Sequence, residues 1–256
     1  MHRLPSELRR LYLPQATGGQ DVVVDMAADT ASLVGPDGRV RAMVLELTGP
    51  ADWAALSPVW QGVQADLALP APAIAVSGTD AYQLWFSLDQ PLPAAQATAF
   101  LEALRLRYLG DAQPWRIGVW PRLDAAAQTL HTSLVPAVQP GTGRWSAFIA
   151  PDLAAAFADE PWLDLPPNPD GQCNLLARLK SISADDLASA LDRLQPAAVV
   201  AQAQAQPAAG AAAQAGAWLD PTRFLLDTMN NPSVALGLRI EAAKALLPYT
   251  HKPLQP

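Results

Sequence analysis

Between residues 39 and 120 the apolar spacing switches repeatedly between about two and about 3.6, and the order of those switches constrains the fold most. "RVRAMVLELTG" (39–49) alternates and predicts a strand. "PADWAALSPVWQGVQADLAL" (50–69) places Trp53, Leu56, Trp60, Val63 and Leu67 three or four apart and predicts a helix, with Pro58 as a kink or second start. "APAIAVSG" (71–78) and "AYQLWFSL" (81–88) predict two strands joined by the turn Ser77-Gly78-Thr79-Asp80. "PAAQATAFLEALRLRYLG" (93–110) predicts a helix from Pro93 to Gly110, and "WRIGVW" (115–120) a further strand.

The order β-α-β-β-α-β predicts an α+β fold with a ferredoxin-like, RRM-like split βαβ sheet, both helices on one face. Extra elements are expected around it. "QDVVVDM" with "ASLVG" predicts an N-terminal hairpin, "TLHTSLV" and "RWSAFIA" later strands, and 151–158, 171–180 and 183–194 helices. Composition then divides the chain. Residues 1–195 are mixed and globular. Residues 196–217 carry no charge and are nearly all Ala, Gln, Gly and Pro, the composition of a linker. Residues 218–256 predict a helical hairpin, with Asp220 and Ser233 as N-caps and the Asn230-Asn231-Pro232 break between. A hairpin of that size does not bury enough surface to stand alone, so it needs a partner.

Composition also excludes function classes. The net charge of -7 does not favour coating nucleic acid or anionic membrane without a local basic patch. One cysteine, Cys173, allows no internal disulfide and no Cys-built zinc site. No leader-like apolar stretch follows the first residues, and no run reads as membrane-spanning, so the expected location is the cytoplasm.

Side chains alternate across a strand. Met43, Leu45 and Leu47 are the apolar set of the first strand; Tyr82, Leu84, Phe86 and Leu88 are that of the third. Glu46, Gln83 and Trp85 then share the opposite face of the two central strands. Two readings of that face stand. It is covered by chain beyond residue 120, or it is a ligand surface on which Trp85 stacks a base and Ser77 lines the approach. His131, in an alternating segment, reads as a packed or rim residue.

The strand order, an acid on the strand before the first helix, and "SG" running into an aromatic strand resemble the archaeo-eukaryotic primase (primase-polymerase) superfamily over about residues 20–165. "PAVQPGTGRWSAFIAPDL" is similar to a segment of plasmid and phage primases. The resemblance implies an Asp-x-Asp pair, a histidine on the second motif and a third acid. Here those places hold Glu46 alone, Gln83 and Asp124. Two-metal phosphoryl transfer needs several carboxylates around the ions. The reading is therefore a degenerate site with no catalytic residue and no cofactor; Mg²⁺ or Mn²⁺ enters only in the alternative, a divergent primase-polymerase.

"RIEAAKALLPYTHKPL" (239–254), with Leu225, Leu226 and Met229 before it, resembles phage small-terminase-like proteins. That resemblance implies viral DNA handling or packaging, with DNA, a large terminase or other phage protein, or further copies through 218–256 as partners, in the bacterial host cytoplasm. Four cations against three acids leave 218–256 at about +1, and Arg239, Lys244 and Lys252 are its candidate phosphate contacts. The expectation is a non-catalytic phage or mobile-element protein. The alternatives are the divergent primase-polymerase and a pure protein-interaction module.

Overall fold

A computed structural model describes residues 3–14, 32–124, 126 and 128–194. The expected linker, the C-terminal hairpin and the "QDVVVDM" strand lie outside the described residues. Within them the elements run α1 (Arg3–Leu11), β1 (Arg39–Thr48), α2 (Trp53–Ala65), β2 (Ala73–Val76), β3 (Ala81–Pro93), α3 (Ala94–Tyr108), β4 (Ile117–Trp120), β5 (Arg122–Leu123), β6 (Thr129–Leu130), β7 (Ala147–Ile149), α4 (Pro169–Leu176) and α5 (Ala184–Leu194). Two 3₁₀ turns add Pro114–Arg116 and Ala154–Phe157. The fold is α+β. Five antiparallel strands pair in the order β4-β1-β3-β2-β7, and β5 and β6 form a separate pair.

Each helix bears its sequence signals. Asp52 caps α2, its carboxylate accepting from the Ala55 amide at 3.2 Å. Pro58 does not break α2. Proline cannot donate to the Ala54 carbonyl, and the neighbouring Ser57 hydroxyl reaches that oxygen at 3.4 Å. α3 starts directly after Pro93, so β3 runs five residues further than the expected 81–88, and its end pairs with Arg39 and Val40.

The centre of the sheet is buried on both faces, while β4 at one edge is half-exposed. On one side Met43, Leu45, Leu47, Tyr82, Leu84 and Phe86 pack against Leu56, Val59 and Val63 of α2 and Phe100, Leu101 and Leu104 of α3. α5 adds Leu187 and Ala190 to this layer. On the other side Ala42, Val44, Ala73, Ala75, Trp85 and Phe148 lie beneath Leu4, Leu8, Leu11 and Tyr12 of α1, Val135, and Cys173 and Leu176 of α4. β3 accordingly reads as an unbroken buried run over residues 81–88, not as a strand with one wet face.

Two devices close this second layer. Buried Gln172 of α4 accepts from the Phe148 amide and donates to the Phe148 carbonyl, both at 2.8 Å. Its side-chain amide thus stands where a further strand would pair with the edge strand β7. Arg41, 5% exposed, sits at the bulge of β1. It donates to the carbonyls of Arg9, Arg10 and Leu13 around the C-terminal end of α1, and to Leu88 on β3. Those of Arg9 and Arg10 are helix-end carbonyls that intrahelical bonds leave open.

Candidate functional site

Register places three of the expected residues together. Glu46 lies opposite Gln83, and Val44 opposite Trp85. Gln83 donates to Glu46 Oε2 at 2.6 Å, and the Trp85 indole N–H donates to Gln83 Oε1 at 2.9 Å. The glutamine thus relays one hydrogen bond into the core and one toward the carboxyl. On β4, Gly118 pairs with Glu46; a Cβ there would meet Glu46 Oε1 at 3.1 Å and Trp120 Nε1 at 3.3 Å. A side chain at 118 would crowd both Glu46 and the Trp120 indole. The Trp120 indole N–H is buried without a partner among the described residues, and the Arg122 guanidinium covers the Trp120 ring at 4.3 Å.

Glu46 is half-buried. Burial pushes its carboxyl above the ordinary value; the Gln83 hydrogen bond opposes this and the charge of Asp80 adds to it. The folded chain therefore holds this proton more tightly than the unfolded chain. The stability contributed is fully present below the unfolded value and is lost as pH rises through the folded one. Glu46→Gln keeps an acceptor for Gln83 without the charge. It is expected to melt higher than wild type at neutral pH, with the difference shrinking as the buffer is made acidic; equal melting at both pH values would remove the burial argument.

The ligand-surface reading of this face needs correction. Trp85 is 1% exposed. Tyr12 meets its ring edge-on at 5.2 Å and Phe148 at 5.9 Å, with His131 tilted against it at 6.5 Å. No base can stack on a ring enclosed on those sides. Coverage by chain beyond residue 120 is the reading that fits, joined by α1, which sequence reasoning missed as an element. Its signal was present, because Leu4, Leu8 and Leu11 recur at helical spacing.

His131 accepts from the Thr132 amide at Nδ1 and meets the Ala42 carbonyl through Nε2 at 3.1 Å, a pattern that fits the neutral ring protonated on Nε2. Burial lowers its pKa to about 4 against those two backbone contacts. It bonds the β1 backbone two residues from Val44, where pairing with β4 begins, and is not placed as a base.

Ser77, 7% exposed, is committed to its turn. Its hydroxyl accepts from the amides of Thr79 at 3.2 Å and Ala81 at 3.0 Å, and its carbonyl accepts from Gln139 at 2.8 Å. Gly78 has φ +82°, and a Cβ on it would lie 2.8 Å from the Ser146 amide nitrogen, so the turn requires glycine. Asp124 accepts from Ala126 and Gln128 in the β5–β6 turn, outside the five-stranded sheet that carries Glu46. It joins no shared ligand set with Glu46. Among the described residues no three or more His, Cys, Asp or Glu side chains are grouped to hold a metal ion. Arg239, Lys244 and Lys252 lie outside the described residues.

What remains is a single half-buried carboxyl tied to the Trp85 indole through the Gln83 amide. It can orient Gln83 and fix the register of β1 against β3. Compared with known proteins, the chain matches no family model and no curated sequence. No helix among the described residues is long and apolar enough to cross a membrane.

Proposed function

We propose that this is a non-catalytic DNA-handling protein of a phage or other mobile element, acting in the bacterial host cytoplasm. Its described domain is a degenerate primase-like scaffold, and its C-terminal segment is a small-terminase-like contact and assembly region. The strand order β4-β1-β3-β2, with α2 and α3 on one face, supports a ferredoxin-like core extended by β7. The observation that carries the reading is the closure of the opposite face. Trp85 lies beneath α1 and α4, and its indole N–H bonds Gln83, whose amide donates to Glu46, so the ring does not line a cleft. A scaffold of that kind acts through its surface and its partners: DNA, a large terminase or other phage protein, or further copies through 218–256.

A short labelled duplex, titrated at about 50 mM and about 200 mM salt, tests this. Wild type is expected to bind at the lower salt. Arg239→Ala, Lys244→Ala and Lys252→Ala together are expected to flatten the salt slope by up to about three. Absence of binding at low salt favours a pure protein-interaction module. Manganese-dependent nucleotide incorporation that disappears in Glu46→Ala would instead establish a divergent primase-polymerase.

A further inference from the structure

Among the described residues the five-stranded sheet has one edge that its own chain leaves open. Gln172 occupies the edge of β7. Val34 bridges Val40, and His131 meets the Ala42 carbonyl, so the part of β1 that β4 does not reach is also taken. β4 is the outer strand on that side, and its residues Ile117, Gly118, Val119 and Trp120 are uncharged and half-exposed. An uncovered apolar edge is a template for another strand.

The ladder determines which groups that edge offers. The Ser77 amide bonds the Ala81 carbonyl, and the Ile182 amide bonds the Ser87 carbonyl. The odd residues of β3 therefore turn their backbone groups away from β1, and the even ones toward it. By the register Met43, Leu45 and Leu47 bond β3, so Val44 and Glu46 bond Trp120 and Gly118 of β4. Ile117 and Val119 are left facing outward. The Ile117 amide is held by the Pro114 carbonyl. Pro121 has no amide hydrogen, and its carbonyl accepts from the Thr98 hydroxyl at 2.8 Å. Val119 is thus the residue of this edge whose amide and carbonyl are both open among the described residues.

That pair selects the occupant. A long added peptide needs donors and acceptors along its length, and this edge supplies one donor. A second copy, turned about a two-fold axis at Val119, needs no more, because each Val119 amide donates to the carbonyl of the other. Trp115, 78% exposed, and Leu123, 51% exposed, stand equally far from Val119 in sequence, on opposite sides of it. The same axis therefore brings the Trp115 flank of each copy onto the Leu123 flank of the other. Arg116 and Arg122 share those flanks, but each is engaged on its own chain, Arg116 with the Thr48 and Pro50 carbonyls and Arg122 over Trp120. A standard interface buries about 800 Å² per partner, and Trp115 alone offers about 150–200 Å² of apolar surface.

We propose that two copies of this domain associate edge to edge through β4, Val119 against Val119, joining their sheets into one. The proposal goes beyond the DNA reading and rests neither on it nor on assembly through 218–256.

The test uses the full chain with Val119→Cys; the native Cys173 is buried. Hydrogen-bonded antiparallel partners have Cα atoms about 5.5 Å apart, within reach of a disulfide. A mild oxidant is expected to give a reducible dimer. Arg122→Cys is expected to give none, because its two copies lie roughly 20 Å apart along an extended ladder. Trp115→Glu with Leu123→Glu is expected to melt like wild type and to raise the dimer dissociation constant about tenfold or more in sedimentation. No disulfide dimer from Val119→Cys, or equal crosslinking by Arg122→Cys, would overturn the interface. If the chain self-associates and Trp115→Glu with Leu123→Glu leaves that unchanged, this edge is wrong while assembly through 218–256 stands.

Discussion

Trp85→Ala is expected to cost the fold about 3–5 kcal/mol, the range for emptying a large buried aromatic site. The ring lies at the centre of the second layer, edge-on to Tyr12 and Phe148, with Val44 opposite in the pairing of β1 and β3. Truncation removes those contacts and leaves the Gln83 carbonyl without its indole donor in a site that water does not reach, which adds to the loss. Against a total stability of about 5–15 kcal/mol, the domain would sit close to unfolding. Urea denaturation measures this directly. A stacking platform would behave otherwise: its loss would weaken nucleic-acid binding by about 1–3 kcal/mol per base and leave the denaturation midpoint in place. Trp85→Phe, which keeps a ring and deletes the N–H, is expected to cost about 1 kcal/mol.

Arg41→Met is expected to cost about 3 kcal/mol or more, and the loss should be felt first in α1. The methionine matches the length of the stem but offers nothing to the carbonyls of Arg9, Arg10, Leu13 and Leu88. Those oxygens are buried or part-buried, three of them at or just past the end of α1 and one on β3, so water replaces the guanidinium poorly. α1 contributes Leu4, Leu8, Leu11 and Tyr12 to the layer over Trp85. Loosening its anchor should therefore raise hydrogen exchange at residues 7–13 before it raises exchange in β1 or β3. Unchanged exchange in α1, with wild-type stability, would mean that apolar packing alone holds the helix down. Tyr12 sharpens the point. Its ring meets Trp85 edge-on and stacks on Phe148, so losing α1 also strips the aromatic packing around Trp85.

The parts of this architecture legible in the sequence are those set by local periodicity. Alternation in 43–48 and 82–88 separated Met43, Leu45, Tyr82 and Leu84 from Glu46, Gln83 and Trp85, and the two sets do occupy opposite faces. The spacing of Leu56, Val63 and Leu67 marked the face of α2 that reaches the core, and Pro93 and Gly110 bracketed α3. What covers the other face was not legible, because it depends on contacts distant in sequence. Arg41 meets the end of α1 from 28 to 32 residues away, and Gln172 caps Phe148 from 24. Neither residue belongs to a pattern; each is a single polar side chain whose partners are backbone atoms that only the fold brings near. The same holds for Ser77 and Asp124. Both are residue types that serve catalysis as readily as turns, and only the amides of Thr79, Ala81, Ala126 and Gln128 assign them to turns.

Native-state exchange of the Trp85 indole proton, assigned by its absence in Trp85→Phe, probes the sealed face at its centre. The proton should exchange only through openings close to global unfolding, and its resonance should stay in place when duplex DNA is added. Exchange within minutes at neutral pH, or a saturable shift of that resonance on adding DNA, would show instead that α1 and α4 leave the aromatic face open to ligand.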